Sequence, residues 1–414
     1  MPPNTMTTIE MREPGAPDVL ISGERELPTP GDGEVLVRVT AAGVNGPDLV
    51  QRRGHYPPPK GASDLLGLEV SGEIVALGSS VSGWSVGDRV CALTNGGGYA
   101  EYAAIDATHC LPIPDGLSEI DAAGLCETYF TVWSNLFFKQ SVGGLLLVHG
   151  GAGGIGSTAI QLGKAMGLSV MTTCATQDDC DFAKGLGADR AINFNEEDFV
   201  DVVRAAGGAN LILDIIGGDY VARNVKAASP DARIVQLAFN AGSKVEINLM
   251  PIMLKRLVYT GSTLRSRPES FKSAVAEDLR KTVWPMFANG QLSAQTRHLL
   301  QTFENGRRTK VGEQSQHSAQ AKNRLFGPQL PLQIVAGRIT DSTKQNRITG
   351  LGHIERFSRQ RMAVTLIGDR ADIAFKQRQF GKVQRIQHTQ RFGGDFRANA
   401  VSWKHRNLHE SSCP

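Results

Sequence analysis

Between His149 and Gly156 the chain reads His-Gly-Gly-Ala-Gly-Gly-Ile-Gly, the segment whose residue types and spacing carry the clearest chemical signal. Gly151, Gly153 and Gly156 fit the pattern G-x-G-x-x-G. The first glycine permits a tight turn, and the second lets the backbone approach a pyrophosphate. The third lets a following helix pack closely on the strand, with its N-terminus facing the phosphates. Such turns also arise by chance in a chain with 46 glycines, so the flanks decide the reading. A short apolar run at 145–148 precedes the motif and a helical pattern at 157–166 follows it, the context that a dinucleotide site requires. NAD binding normally calls for an acidic residue about twenty positions on, at the end of the next strand. Residues 170–176 (VMTTCAT) offer no carboxylate before Asp178. Their small side chains leave room for a 2′-phosphate while its basic partner is missing, which favours NADPH on space alone and leaves NADH possible.

Metal chemistry has little support. The six cysteines (Cys91, Cys110, Cys126, Cys174, Cys180, Cys413) are scattered and form no CxxC pair. A structural zinc site needs clustered thiolates, and a chain this long does not need disulfide staples. The expectation is no metal and a reduced, cytoplasmic setting.

The elements that must position the glycine motif follow from periodicity. Alternating or short apolar segments at 34–40, 68–77 and 84–91, punctuated by glycine, predict a compact β-barrel-like domain. Pro57, Pro58 and Pro59 mark a stiff loop. A helix is predicted at 118–133. Strand-sized apolar runs then recur at 145–148, 168–173, 211–216, 234–239 and 257–260, with helical segments such as 157–166 and 177–185 between them. Runs of this kind are buried on both faces of a parallel sheet, and their alternation with helices predicts a doubly wound α/β fold. One long helix is predicted at 268–289, ended by Gly290, and a further helical segment at 296–303.

Composition sets the class. With 41% hydrophobic and 21% charged residues the chain is a globular protein rather than a disordered one. No apolar run is long enough for a bilayer, and residues 1–15 lack the apolar stretch of a secretory signal. The net charge of +3 conceals a split. Residues 307–414 hold 20 basic and 7 acidic residues and 12 glutamines, whereas the rest holds 24 basic and 34 acidic.

Taken together, these stretches resemble the zinc-independent quinone oxidoreductases of the medium-chain dehydrogenase/reductase superfamily, in the branch of the p53-inducible quinone oxidoreductase and zeta-crystallin-like enzymes. The resemblance is carried by residues 43–48 (GVNGPD), 51–57 (QRRGHYP), 61–69 (GASDLLGLE), 87–90, 97–102 (GGYAEY), 127–134 (ETYFTVWS), 185–192 (GLGADRAI), 217–220 and 260–264 (TGSTL), and covers about residues 8–303. It implies a GroES-like β-barrel catalytic domain (1–125), a Rossmann dinucleotide-binding domain (126–260), a return to the catalytic domain (261–303) and an atypical, poorly ordered basic tail (304–414). Zinc-dependent relatives carry Cys and Gly-His-Glu where this chain has Asn45 and Gly67-Leu68-Glu69, which implies loss of both zinc sites. The implied reaction is hydride transfer from NADPH to a quinone or enone, which needs proximity and a desolvated cleft more than a strong acid.

By the same resemblance Asn45, Tyr56 and Thr131 lie near the nicotinamide and acceptor. Ala152, Gly153, Gly154 and Ile155 lie under the pyrophosphate, Ala175, Thr176 and Phe194 near the adenosine end, and Gly217, Ala238 and Phe239 near the ribose-nicotinamide. Gly261, Ser262 and Thr263 form a wall of the cleft. Each catalytic candidate has a plainer reading: Asn45 as a turn residue, Tyr56 as an anchor for the proline loop, Thr131 as a helix-surface hydroxyl. A homodimer is also implied.

Three departures qualify the match. Asp179 replaces a lysine and Phe194 a tyrosine at the 2′-phosphate, so weaker discrimination for NADPH is expected. Gly46-Pro47 replaces Arg-Ala beside Asn45. After Phe303 pattern and composition change together, pointing to a shift of reading frame or of gene boundary near Glu304. If the tail is genuine, the barrel is expected to lack its last strand. A non-catalytic NAD(P)-binding protein is the rival to the enzyme. A nucleic-acid role for the basic tail, with Phe357, Phe375 and Phe392 for stacking, is the weaker reading beside a simple basic extension.

Overall fold

The computed structural model describes residues 3–297, 301–304, 307–310 and 333–337, with side chains through residue 295. An antiparallel hairpin opens the chain, β1 (Thr5–Met11) against β2 (Leu20–Glu26). The barrel sheet follows: β3 (Glu34–Val44), β4 (Glu69–Leu77), β5 (Arg89–Leu93), β6 (Tyr102–Asp106) and β7 (Cys110–Pro112), with α1 (Gly46–Arg52) after β3. β3 pairs antiparallel with β4 along one edge and with β6 along the other, and β5 links β4 to β7. Val35, Val37, Ile74 and Val90 are fully buried and make this sheet's core. The third strand begins at Arg89 rather than at 84, because Gly87, at φ +97°, ends a turn there that most side chains would strain.

The helix predicted at 118–133 is two: α2 (Glu119–Ala122) and α3 (Cys126–Leu136), separated at Gly124. The second sheet is parallel and six-stranded, built from β8 (Leu145–His149), β9 (Ser169–Cys174), β10 (Arg190–Asn193), β11 (Ala209–Asp214), β12 (Ala228–Gln236) and β13 (Val258–Gly261) in the order β10-β9-β8-β11-β12-β13. Its helices are α4 (Gly154–Ala165), α5 (Gln177–Gly185), α6 (Phe199–Ala205), α7 (Tyr220–Ala227) and α8 (Met250–Lys255). Every residue of β8 is buried, as its unbroken apolar run requires. Strand order reverses between β8 and β11, where Leu211 and Leu213 pair with Leu146 and Val148. Such a reversal opens a crevice at the carboxyl ends of the strands. The fold therefore combines the barrel-like and doubly wound domains expected from the sequence.

The helix predicted at 268–289 is interrupted. α9 (Glu269–Asp278) passes through a π-helical turn (Leu279–Val283) into α10 (Pro285–Ala288). Pro285 has no N–H to continue an α-helical ladder, and the wider turn sets Trp284 so that its Nε1 donates to the Pro112 carbonyl at 2.7 Å. The helical segment predicted at 296–303 is corrected as well: strands β14 (Thr296–Arg297) and β15 (Gln301–Glu304) stand there, β15 pairing with β16 (Arg307–Lys310). A further correction concerns the barrel's last strand. β17 (Gln333–Gly337), the sequence QIVAG, runs parallel to β3 and antiparallel to β14. The other tail expectations, disorder and the stacking phenylalanines included, lie outside the described residues. No helix among the described residues is long and apolar enough to cross a membrane.

Candidate active site

The crevice begins at the glycine loop between β8 and α4. A Cβ on Gly151 would collide with Thr172 Oγ1, and one on Gly156 with the Gly150 carbonyl, so both positions demand glycine. Gly153 caps α4 without a side chain, and the amides of Gly154, Ile155 and Gly156 have no intrahelical acceptor. Bare backbone donors at the N-terminus of a twelve-residue helix suit a pyrophosphate. α3 runs beside them: a Cβ on Gly154 would lie 3.3 Å from Thr128, and Thr158 Oγ1 donates to Thr128 Oγ1 at 3.1 Å. The residues present fit a dinucleotide.

Beneath the loop lies a network that sequence reasoning missed. His149, fully buried, places Nε2 2.7 Å from Asn224 Oδ1, and Asn224 Nδ2 donates to Asp214 Oδ2 at 2.9 Å. That chain of donors makes Nε2 the protonated nitrogen, so Nδ1 accepts from Thr173 Oγ1 at 3.0 Å. Burial holds the His149 pKa down and the ring neutral. Asp214 Oδ1 also accepts the amides of Ile216 (2.6 Å) and Gly217 (3.1 Å), fixing the turn that follows β11. Gly217 has φ +68°, and a Cβ there would lie 2.7 Å from the Phe239 ring. Gln236 Nε2 donates to the Ala238 carbonyl, and Phe239 is 47% exposed, its ring free to meet a ligand.

At the far end of the crevice Ala175 and Thr176 join β9 to α5. Asn195 Nδ2 donates to the Ala175 carbonyl at 2.8 Å, and Thr176 Oγ1 accepts the Asp179 amide at 3.1 Å. The first turn of α5 carries Asp178 and Asp179, and its only basic residue is Lys184 in the last turn. Phe194 is half-buried after β10.

On the barrel side, an open pocket of about 180 Å³ is lined by Tyr56, Pro57, Pro59, Thr263, Arg265 and Ser266. Two predicted residues, Tyr56 and Thr263, meet there; Asn45 and Thr131 are not among its walls. Ser262 Oγ donates to Asn135 Oδ1 at 2.8 Å, and Asn135 Nδ2 to the Thr131 carbonyl at 2.8 Å, so the cleft wall is tied to α3. Arg265 is held rigidly. Nη1 donates to Gln51 Oε1 at 2.7 Å, Nε and Nη2 donate to the Asn95 carbonyl, and the guanidinium stands 5.6 Å from the centre of the Tyr56 ring.

Behind the pocket three carboxyl groups converge. Asn45 precedes α1, its amide donating to Asp48 Oδ2 at 2.8 Å and its side-chain Nδ2 to Glu69 Oε1 at 2.7 Å. Asp48 also accepts from Gly67 N at 3.1 Å and Tyr99 Oη at 3.1 Å. Glu69 Oε2 accepts the Glu127 amide at 2.9 Å. The carboxyl of Glu127 itself has no hydrogen-bond partner among the described residues. Burial pushes Asp48 up to about 6 against the donors around it. Burial pushes Glu69 up to about 7, with Asp48 adding to it. Glu127 is pushed to about 8 by burial and then by the negative charges of Glu69 and Asp48. The sequence signal for Glu127 and Arg265 is thin: Glu127 opens the stretch 127–134 and Arg265 follows 260–264, and neither is marked by type or spacing as part of a site.

The donor set does not fit a zinc ion. Asn45 is committed to Glu69, and Leu68 is a buried hydrocarbon where a ligand would be needed. Burial raises the thiols of Cys110 and Cys126 away from the thiolate that zinc requires. Asp106, His109 and Glu269 bring three ligand atoms within 4.8 Å, but the Lys272 ammonium lies 2.9 Å from Glu269 Oε2 and already supplies the positive charge.

This arrangement defines a two-domain oxidoreductase with a dinucleotide crevice. Family models match in the same places: the alcohol dehydrogenase GroES-like domain at residues 31–115 and the zinc-binding dehydrogenase at 154–279. The chain is 30% identical to the quinone oxidoreductase of Mus musculus over 270 residues, 63% of this chain and 81% of that one. Among solved structures it resembles the quinone oxidoreductase of Pseudomonas syringae pv. Tomato DC3000 (29% identity, TM-score 0.62, 70% of this chain and 90% of that one). It also resembles the Escherichia coli quinone oxidoreductase complexed with NADPH (27% identity, TM-score 0.62, 69% and 89%). The chain belongs to the medium-chain dehydrogenase/reductase superfamily, alongside its zeta-crystallin-like quinone oxidoreductases.

Proposed function

We propose that this oxidoreductase reduces a quinone or a related enone with NADPH, without a metal. The single observation that carries the reading is the pocket walled by Tyr56, Thr263 and Arg265, which holds an aromatic face and a fixed cation but no metal-ligand set. When bound, the reduced nicotinamide supplies the hydride. On this proposal the Gly151–Gly156 backbone binds the pyrophosphate, and Ala175, Thr176 and Phe194 border the adenosine. Gly217, Ala238, Phe239, Gly261 and Ser262 border the ribose-nicotinamide. Tyr56 packs against the acceptor ring, Thr131 and Thr263 flank it, and Asn45 holds the barrel wall through Glu69. Asp178 and Asp179 repel a 2′-phosphate, so NADH is a competent alternative.

A homodimer is part of the same proposal. β13 is an edge strand exposed along its whole length, and Leu249, Met250, Met253 and Leu254, on the segment that leads into it, are each at least 60% exposed. An open apolar edge of that kind is normally covered. The cytoplasmic setting expected from the sequence is part of the same proposal, and the five described cysteines are all buried. The test is the initial rate of NADPH and NADH oxidation by the full-length protein with a small quinone and with an enone. Acceptor-dependent oxidation supports the reading. A folded protein that binds cofactor yet turns over neither acceptor refutes it.

A further inference from the structure

Resting on the reductase reading, we propose that the barrel-side pocket is built for an acceptor that carries its own carboxylate, with Arg265 as the residue that selects it. The first observation is an unbalanced buried charge. Arg265 is only 7% exposed, and its Nε, Nη1 and Nη2 donate to neutral oxygens alone, the Asn95 carbonyl and Gln51 Oε1. Among the described residues no carboxylate forms an ion pair with it. Lys272 is buried as well, but it has Glu269 Oε2 at 2.9 Å. Asp48 and Glu127 act on Arg265 only through space. Asp48 gives its oxygens to Asn45, Gly67 and Tyr99, and burial pushes Glu127 up to about 8. A cation taken out of water is costly until a counterion joins it.

The second observation is where that cation stands. Arg265 lines the pocket and is the one charged residue of its described lining. A guanidinium has five N–H groups, and the three bonds above leave two, one on each terminal nitrogen. Planar, forked donors of this kind suit a carboxylate better than a single carbonyl oxygen. Gln51 on α1 and Asn95 after β5 hold the group from two sides, so it is in place before a ligand arrives.

The rest of the lining fits the same ligand. Thr263 Oγ1 and Ser266 Oγ are 2.7 Å apart; whichever donates to the other, one hydroxyl hydrogen is left for an oxygen of the ligand. Tyr56 Oη has no hydrogen-bond partner among the described residues. The Tyr56 ring, Pro57 and Pro59 supply apolar surface for a planar ring. The pocket thus offers donors and a positive charge around an apolar wall, and no acidic group. On this proposal the carboxylate takes no part in the hydride step. It anchors the acceptor through a part that does not react, which orients the ring that does.

The test uses the full-length protein, NADPH and a matched pair of acceptors at pH 7: a naphthoquinone carrying a carboxymethyl group, and its methyl ester. Wild type is expected to favour the carboxylate by at least about tenfold in kcat/KM, chiefly through KM. Arg265→Gln should abolish or invert the preference, and Arg265→Lys should keep part of it. A wild type without the preference, or a preference that survives in Arg265→Gln, overturns the proposal. So does an equal loss on both acceptors confined to kcat, which would assign Arg265 to the hydride step, or a defect confined to KM for NADPH, which would assign it to the cofactor. If Arg265→Gln does not fold, inhibition of wild type decides. Benzoate should compete with the ester at least about tenfold better than benzamide, and equal inhibition by the two overturns the proposal. A wild type that reduces neither acceptor removes the reductase reading. Calorimetric titration with benzoate and benzamide then tests the pocket by itself, and the absence of a preference for benzoate overturns the anion site too.

Discussion

Replacing Glu127 by glutamine should make the protein more stable, and increasingly so as pH rises. Glu127 is held at about 8 in the folded chain against 4.5 in the unfolded one. Below pH 4.5 the side chain is protonated in both states and contributes no pH dependence. Between 4.5 and about 8 the unfolded chain has released the proton and the folded chain has not, so stability falls as pH rises through that window. Each unit of difference is worth ~1.4 kcal/mol, which brings the penalty to ~4 kcal/mol near pH 8. Glutamine keeps the volume of the protonated acid and cannot ionise. The difference in melting temperature between Glu127→Gln and wild type should therefore be near zero at pH 4.5 and grow to on the order of 5–10 °C at pH 8. Thermal unfolding of both proteins across pH 4.5–8.5 measures it directly. A difference that stays constant, or that shrinks toward pH 8, would refute the claim that this carboxyl is kept neutral by its surroundings.

Other expectations are as direct. Gly156→Ala, whose new methyl would strike the Gly150 carbonyl, should weaken dinucleotide binding at least tenfold by fluorescence titration while the barrel domain stays folded by circular dichroism. Asp179→Lys should raise the ratio of NADPH to NADH turnover by tenfold or more; an unchanged ratio would remove the α5 first turn from cofactor choice. Asn224→Leu, which strips the partners of His149 Nε2 and Asp214 Oδ2, should lower stability by ~2–4 kcal/mol in chemical denaturation, because it leaves buried polar groups unsatisfied. Met253→Glu together with Leu254→Lys should convert a dimer to a monomer in sedimentation velocity, and a protein already monomeric as wild type would end the dimer proposal.

The doubly wound half was legible because its strands are buried on both faces and read as unbroken apolar runs, with the glycine motif fixing where the sheet reverses. The barrel strands were legible where side chains alternate, as in β3, and misjudged where a turn glycine such as Gly87 cut the pattern. The helix breaks were not legible. Residues 118–133 and 268–289 keep helical composition through their interruptions, and only the packing of α3 and of Trp284 shows where the backbone departs. β17 was missed because three apolar residues in a basic, glutamine-rich setting carry almost no periodic signal. The site divided in the same way. The glycines of the loop announce themselves by type, whereas Glu127, Arg265 and Asp48 matter through distance and burial, and neither is written in local sequence. Tyr56 and Thr263 sit on one pocket, whereas Asn45 stands at the start of α1 with its side chain on Glu69.

One hydrophobic core runs without interruption from Cys91 and Leu111 of the barrel through Phe130, Trp133 and Leu136 of α3 to Leu146, Val148 and Ile160 of the parallel sheet, and on to Val275 and Leu279. The two halves are therefore not beads joined by a linker. A calorimetric scan should record one heat-absorption peak covering both rather than two separate ones, because neither can melt without exposing the other's interior. For the same reason, grafting this barrel onto another dinucleotide domain would require carrying α3 along with it.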